Sequence, residues 1–229
     1  MSEAGGAVLV ACAHGTRSEE GRAVVRSVVE DLRALVGGTP VREAFVDVQE
    51  PAVGPAVGDA VRAAGVAVVV PLLLSTGFHV RHDIGAAVAR RPAVAAGPLG
   101  PDDRLVTILV ERLTEAGATA DDAVVLAAAG SSDPAAAEAV AEVLAGLRAR
   151  WPGPVTVGYG AAARPSVGDA VAAARGTGAR RVVVASYLLA PGHFHGALAG
   201  AGADVVTAPL GPHPLLARIA LDRFRDAAR

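Results

Sequence analysis

The sequence predicts an α/β protein made of two tandem, duplicated units, each with three α/β/α layers around a parallel central sheet. Two observations predict this class. Short apolar runs that end in small or polar residues alternate with longer segments whose apolar residues recur at helical spacing. The same order of elements then repeats in the second half. Strands that alternate with helices form a parallel sheet covered on both faces.

The first half provides the elements in order. Strands are predicted at 7–13, 41–47, 66–74 and 93–97, and helices from about Ser18 to Val36, after Pro51, from near Arg81, and from Asp102 to Ala116. In the first helix, Val24, Val28 and Leu32 recur at helical spacing, and Gly37 follows its end. The first and third strands are apolar throughout, which is typical of strands buried on both faces.

The second half echoes the first. Three pairs of segments align in the same order: 8–16 with 124–132, 77–79 with 192–195, and 98–101 with 209–212. Order-preserving matches at about half the chain length indicate a duplicated unit. Asp133-Pro134 is a helix start, with an N-cap before a first-turn proline. The predicted domains are therefore 1–118 and 119–229.

Composition narrows the class of protein. The chain is 52% hydrophobic and has a net charge of −2, which gives no electrostatic reason to bind nucleic acid or anionic membrane. No apolar run approaches the roughly 20 residues of a membrane-spanning helix. The first residues lack a signal-peptide pattern, so a cytoplasmic protein is expected. The single cysteine, Cys12, excludes an internal disulfide and a multi-cysteine metal site.

Three side chains follow strands whose carboxyl ends meet at one edge of the predicted sheet. His14 follows the first strand, Asp47 ends the second, and His79 follows the third. Ligands bind at this edge in open α/β sheets. Neutral imidazole is the commonest side-chain ligand for transition metals, and a carboxylate can complete such a site or accept a proton. The sequence therefore predicts a metal-dependent reaction centre in the first half.

The second half does not reproduce this set. Gly130 aligns with His14 and Ala161 with Asp47, whereas His195 aligns with His79 and is joined by His193. The amino-terminal half is therefore expected to hold the reaction centre, and the other half to close over it.

The motifs resemble those of the class II tetrapyrrole chelatases, and most closely the sirohydrochlorin chelatases of the CbiX type in their long, two-domain form. The resemblance is carried by segments 14–17, 45–51, 71–74 and 77–84. It implies a chelatase-like fold with the active site in the cleft between the domains. It also implies metal binding and catalysis by His14 and His79. At the position of Asp47, members of the family have an acidic residue that is usually glutamate. Asp47 is therefore taken as the third catalytic residue.

The resemblance implies insertion of Fe²⁺, Co²⁺ or Ni²⁺ into sirohydrochlorin, without ATP or an organic cofactor. Insertion releases two pyrrole protons, and imidazole can both bind the ion and accept a proton. Sirohydrochlorin carries eight carboxylates, which arginine can bind in a bidentate way. The candidate substrate-binding residues are Arg17, Glu50, Arg81, His82, Arg164, His193 and His195. The expected partners are the tetrapyrrole and the divalent ion, and the duplication is compatible with a monomer.

Several alternatives stay open. Iron insertion for sirohaem is preferred, because the arginine-only basic residues indicate a GC-rich genome, and bacteria of that kind often insert cobalt with a different, ATP-driven enzyme. The second hypothesis is cobalt insertion for cobalamin. The third is a non-catalytic carrier of metal or tetrapyrrole. A phosphate-handling α/β enzyme is disfavoured, because the first strand-to-helix turn lacks the glycine motifs of nucleotide-binding loops.

Overall fold

The computed structural model describes residues 6–75, 77 and 80–229, and it leaves out the side chains of Val80 and Arg81. The chain divides into two compact units, Met1–Leu99 with Pro214–Arg229, and Gly100–His213. Each unit contains a four-stranded parallel sheet with helices packed against it. The predicted α/β class with duplicated parallel sheets is confirmed.

The first sheet has the strand order β2-β1-β3-β4, and its neighbouring strands all run parallel. Its strands are β1 (Val8–Ala13), β2 (Val41–Phe45), β3 (Ala67–Pro71) and β4 (Ala93–Ala95). Every residue of β1 and β3 is buried, as expected for central strands covered on both faces. The helices α1 (Glu19–Leu35), α2 (Val53–Ala64) and α3 (Gly85–Val88) follow β1, β2 and β3, and a π-helical turn at Val80–Ile84 precedes α3.

Alternate residues of β1 pack against α2. Val8, Val10 and Cys12 lie in one apolar cluster with Val53 and Val57 of this helix. Burial, together with the nearby Asp83 carboxylate, raises the pKa of the Cys12 thiol to about 12. The thiol therefore stays protonated at neutral pH and acts as a small core residue, as its position in a buried strand predicts.

The second sheet repeats this topology, with the order β6-β5-β7-β8. Its strands are β5 (Ala123–Ala128), β6 (Val155–Tyr159), β7 (Val182–Tyr187) and β8 (Val205–Val206). Its unit also contains α4 (Asp103–Glu115), α5 (Pro134–Arg150), α6 (Val167–Gly176) and α7 (His193–Leu198). The Asp133 side chain accepts a hydrogen bond from the Ala135 N–H and caps α5, as predicted.

Strand pairing corrects the alignment of the two halves by one residue. Leu9 pairs with the first residue of β2 and Val124 pairs with the first residue of β6, so Leu9 corresponds to Val124. His14 therefore corresponds to Ala129, and Gly15 to Gly130. The sequence match was out of register because both strands are continuous runs of small apolar residues, in which a shift by one leaves the hydrophobic pattern almost unchanged.

The compact units differ from the predicted halves at the last helix of each half. Helix α4 packs on α5 and β7 of the second unit, whereas the last helix of the chain, α8 (Pro214–Ala227), packs on α1 and β3 of the first. An arginine anchors each helix to a Pro-Leu-Gly-Pro segment. Arg112 donates hydrogen bonds to the carbonyls of Pro209, Leu210 and Pro212, at 3.0, 3.2 and 3.0 Å.

The equivalent anchor in the first unit is Arg223, which donates to the Pro98 carbonyl at 2.8 Å and the Leu99 carbonyl at 3.3 Å. The repeated proline motifs, visible in the sequence as matching segments, therefore serve as docking points for these helices. No helix among the described residues is long and apolar enough to cross a membrane.

We expect Arg223→Met to lower the free energy of unfolding by about 1–3 kcal/mol, because it removes two hydrogen bonds that a charged donor makes to carbonyl oxygens. Methionine keeps an unbranched apolar chain on the helix. Arg225→Met, at an exposed position of the same helix, is the matched control and should change the value by less than about 0.5 kcal/mol. Urea unfolding measures both, and equal effects would contradict the anchoring role.

Candidate functional site

Two hydrogen bonds beyond the ends of β1 and β2 bring His14 and Asp47 together. The Val46 N–H donates to the Ala13 carbonyl at 3.0 Å, and the Asp47 N–H donates to the His14 carbonyl at 2.9 Å. The parallel ladder thus continues past both strands. Both side chains are exposed at the carboxyl edge of the sheet. The structure therefore places an imidazole and a carboxylate on adjacent backbones, as the sequence predicted.

This close approach requires glycine at position 15. Gly15 has φ +96°, and a Cβ atom there would lie 1.9 Å from the carbonyl oxygen of Asp47. No side chain fits at that distance, and the left-handed conformation disfavours other residues as well. Glycine is therefore a steric condition for the two loops to meet.

The Gln49 side chain ties the same loops together a second time. Its Oε1 accepts a hydrogen bond from the Thr16 N–H at 2.8 Å, and the Gln49 backbone N–H donates to the Asp47 carbonyl within its own loop at 2.7 Å. The Asp47 Oδ1 accepts from the Val48 N–H at 2.7 Å, which orients the carboxylate within its own loop. Backbone and side-chain hydrogen bonds together make this loop pair a defined support for the two functional groups.

Two further sequence candidates lie in the same loops. Glu50 is exposed, and its Oε2 accepts a hydrogen bond from the Ala52 N–H at 2.8 Å, next to the start of α2. This bond gives Glu50 a local structural role. Arg17 is exposed immediately before Ser18, whose side chain caps α1 by accepting from the Gly21 N–H. Arg17 is exposed to solvent, and it follows His14 by three residues in the sequence.

Some of the site residues predicted after the third strand lie outside the described residues. His79 lies outside them, and so does the side chain of Arg81. His82 is exposed within the π-helical turn, and Asp83 beside it is half-buried. Among the residues that are described, no group of three histidine, cysteine or acidic side chains is arranged to hold a metal ion. The predicted ligand pair of His14 and His79 stays a prediction.

The second unit has the same loop backbone without these side chains. The Ala161 N–H donates to the Ala129 carbonyl at 2.9 Å, and a Cβ atom on Gly130 would lie 1.9 Å from the Ala161 carbonyl oxygen. Alanine thus replaces His14, Asp47 and Gln49, at positions 129, 161 and 163. The imidazole and carboxylate that strand pairing brings together therefore lie in the first unit, and the reaction centre there stays a prediction.

The remaining candidates lie in the second unit. Arg164 occupies the position equivalent to Glu50, is exposed, and pairs with the Asp169 carboxylate at 3.4 Å. It borders a depression of about 300 Å³ whose other lining residues are Tyr159, Gly160–Ala163 and Ser166. Hydrogen bonds from the Ser166 hydroxyl and backbone, together with the Arg164 charge, lower the pKa of Asp169. The arginine is therefore only loosely held, since surface ion pairs contribute little.

The two histidines of α7 have different surroundings. His193 is exposed, and its ring meets the edge of Phe194 at a centroid distance of 5.7 Å. His195 is half-buried, and its Nε2 lies 3.1 Å from the Thr207 carbonyl, an oxygen that also accepts from the buried Ser186 hydroxyl. A carbonyl only accepts, so Nε2 carries the proton and cannot bind a metal ion in this arrangement.

Sequence reasoning missed Gln49 and Thr16. A lone glutamine in a polar loop gives no signal of its own, because its role depends on a contact with a loop distant in sequence. The comparison of the two halves offered one indication, since alanine stands at position 163 where the loop pair lacks the reactive side chains.

The fold and the loop pair together define a duplicated α/β protein of the chelatase type. The chain belongs to the CbiX family, whose model matches residues 8–116 and 123–227. The predicted family resemblance and the two repeats are therefore confirmed.

Curated relatives and solved structures agree with this assignment. The sirohydrochlorin ferrochelatase of Priestia megaterium is 32% identical over 198 residues, which cover 81% of this chain and 74% of that protein. The sirohydrochlorin cobaltochelatase of Sulfolobus acidocaldarius is 32% identical over 108 residues, 45% of this chain and 86% of that protein. SirB from Bacillus subtilis with Fe³⁺ has a similar fold, with a TM-score of 0.83 at 23% identity, covering 97% of this chain and 96% of that one.

We expect Gly15→Ala to destabilise the protein more than Gly38→Ala. Both glycines have φ +96°, but a Cβ atom at Gly38 would meet nothing within 4 Å. Gly38→Ala isolates the backbone cost, about 1–2 kcal/mol, whereas Gly15→Ala must also displace the Asp47 carbonyl and should cost about 3–5 kcal/mol. Urea unfolding of the two variants gives the difference. Equal costs would mean that the loops do not meet as described.

Proposed function

We propose that the protein catalyses ATP-independent insertion of a divalent metal ion into sirohydrochlorin, with Fe²⁺ as the preferred ion. The observation that carries the proposal is the pairing of His14 with Asp47 in a chain that belongs to the CbiX family. The relative named sirohydrochlorin ferrochelatase, which aligns with 81% of the chain, supports the choice of reaction and of metal.

In the proposed reaction, His14 and His79 bind the incoming ion, which is a substrate. The free-base macrocycle must lose two pyrrole protons as the ion enters. Imidazole titrates near neutral pH, so it can hold the ion and accept a proton in turn. A ligand set of this kind has to remain incomplete, because the ion must leave it for the ring.

Asp47 supplies negative charge beside His14. A carboxylate near an imidazole favours the imidazolium that forms when the base takes up a pyrrole proton. Asp47 also attracts the divalent ion. Arg17 and Arg164, both exposed guanidiniums, are the proposed ligands of substrate carboxylates, because arginine binds a carboxylate in a bidentate way. No ATP and no organic cofactor takes part in the proposed reaction.

Cobalt insertion is the alternative within this class, and the relative named sirohydrochlorin cobaltochelatase favours it. Imidazole and carboxylate suit both ions, so the side chains do not discriminate between them. The preference for iron therefore rests on the extent of the alignment with the ferrochelatase. A direct comparison of kcat/KM for the two ions decides between them.

A time course of absorbance tests the reaction. Under anaerobic conditions, sirohydrochlorin with Fe²⁺ or Co²⁺ should be metallated faster with the protein than without it. His14→Ala and His79→Ala should lower kcat/KM by at least about a hundredfold, because each removes a ligand and base. His213→Ala is the control, since His213 pairs with Glu111 at 2.8 Å, outside the proposed site. A macrocycle whose spectrum shifts without faster metallation would identify a carrier.

A second pair of variants identifies the functional acid. Asp47→Asn keeps an oxygen that accepts from the Val48 N–H but removes the charge, and Glu50→Gln does the same for the bond from Ala52. We expect Asp47→Asn to lower kcat roughly ten- to hundredfold and Glu50→Gln to stay within about twofold of wild type. Steady-state metallation rates give both numbers. The opposite order would make Glu50 the acid.

A further inference from the structure

Val48 has two properties that are unusual for a valine. The residue is 45% exposed, and its backbone has φ +66°. A β-branched residue in the left-handed region is an outlier, because its Cβ substituents crowd the backbone. Strain of this kind is concentrated at functional sites.

The turn requires the left-handed conformation, but it does not require valine. In the second unit the equivalent residue is Ala162, with φ +56°. The same backbone hydrogen bond closes both turns, from Gln49 N–H to the Asp47 carbonyl and from Ala163 N–H to the Ala161 carbonyl, each at 2.7 Å. An alanine, a glycine or an asparagine would therefore serve the turn at a lower conformational cost.

Among the described residues, packing does not explain the valine either. The neighbouring Val46 packs against the apolar cluster beneath α2, whereas Val48 does not belong to that cluster. Its position is defined by Asp47 on one side, whose carboxylate accepts its N–H, and by Gln49 on the other. An apolar side chain thus projects into solvent at the loop pair that carries His14 and Asp47.

We propose that the Val48 side chain contacts the apolar face of the tetrapyrrole ring and so helps to hold it beside His14 and Asp47. The inference rests on the proposed function. The faces of a macrocycle are apolar, while its carboxylates lie at the rim. A site with only charged and polar groups would bind the rim and leave the ring face in water. An exposed valine beside the proposed reacting groups supplies an apolar contact of this kind.

The test replaces valine with a residue that suits the turn but is polar. Val48→Asn should unfold at the same urea concentration as wild type or a higher one, because asparagine tolerates the left-handed region. In anaerobic titrations without metal, it should bind sirohydrochlorin roughly three- to tenfold more weakly, as expected for the loss of a partly buried valine contact. Val66→Asn, the same substitution at an exposed valine before the amino end of β3, should leave the dissociation constant unchanged.

The kinetic outcome separates a contact from a disturbed loop. If Val48 contacts the ring, Val48→Asn raises KM and leaves kcat within about twofold; a fall in kcat at unchanged KM would overturn the inference, since it would mean that the substitution displaces Asp47. Unchanged binding would overturn it as well, while wild-type metallation would leave the proposed function intact. Weaker binding by a protein that never accelerates metallation would support the contact and reject the chelatase. A wild-type protein that binds no macrocycle would reject both.

Discussion

The site depends on the two backbone hydrogen bonds that continue the parallel ladder beyond β1 and β2. Strand pairing alone would end at Ala13 and Phe45, and the next residues would diverge into separate loops. The bonds to the carbonyls of Ala13 and His14 hold the loops together for two more residues. They place the residues that carry an imidazole and a carboxylate side by side. The glycine at position 15 permits this, because any Cβ atom would strike the facing carbonyl.

The two units share the loop backbone, but they differ in the side chains at the positions of the proposed site. Both units have the glycine, the ladder extension and a left-handed residue in the following turn. Only the first has His14, Asp47 and Gln49, whereas the second has alanine at each equivalent position. The loop backbone therefore belongs to the fold, and it forms whether or not reactive side chains stand on it. The two units can therefore share one loop backbone while they carry different side chains on it.

The sequence predicted features that depend on local pattern, and it missed those that depend on distant contacts. The central strands and the capped start of α5 were predictable, because burial on both faces and an Asp-Pro pair leave direct signals. The exchange of α4 and α8 was not, since an amphipathic helix shows which of its faces is apolar and not which sheet it covers. The role of Gln49 was hidden for the same reason. His14 and Asp47 could be found because carboxyl ends of neighbouring parallel strands meet at one edge.

Aspartate at position 47 gives the Asp47 carboxylate and the His14 imidazole different roles in the proposed reaction. Its carboxylate accepts a hydrogen bond from the next N–H of its own loop, so it is tied to the backbone. Glutamate, with one more methylene, could not make this contact in the same geometry and would reach further towards a substrate. A short, tethered carboxylate holds a charge at a fixed place, which leaves the approach to the ring to the exposed imidazole of His14. Since a metal ion that is a substrate must be released, a fixed charge beside the proposed ligand suits the proposed reaction better than a second tight ligand would.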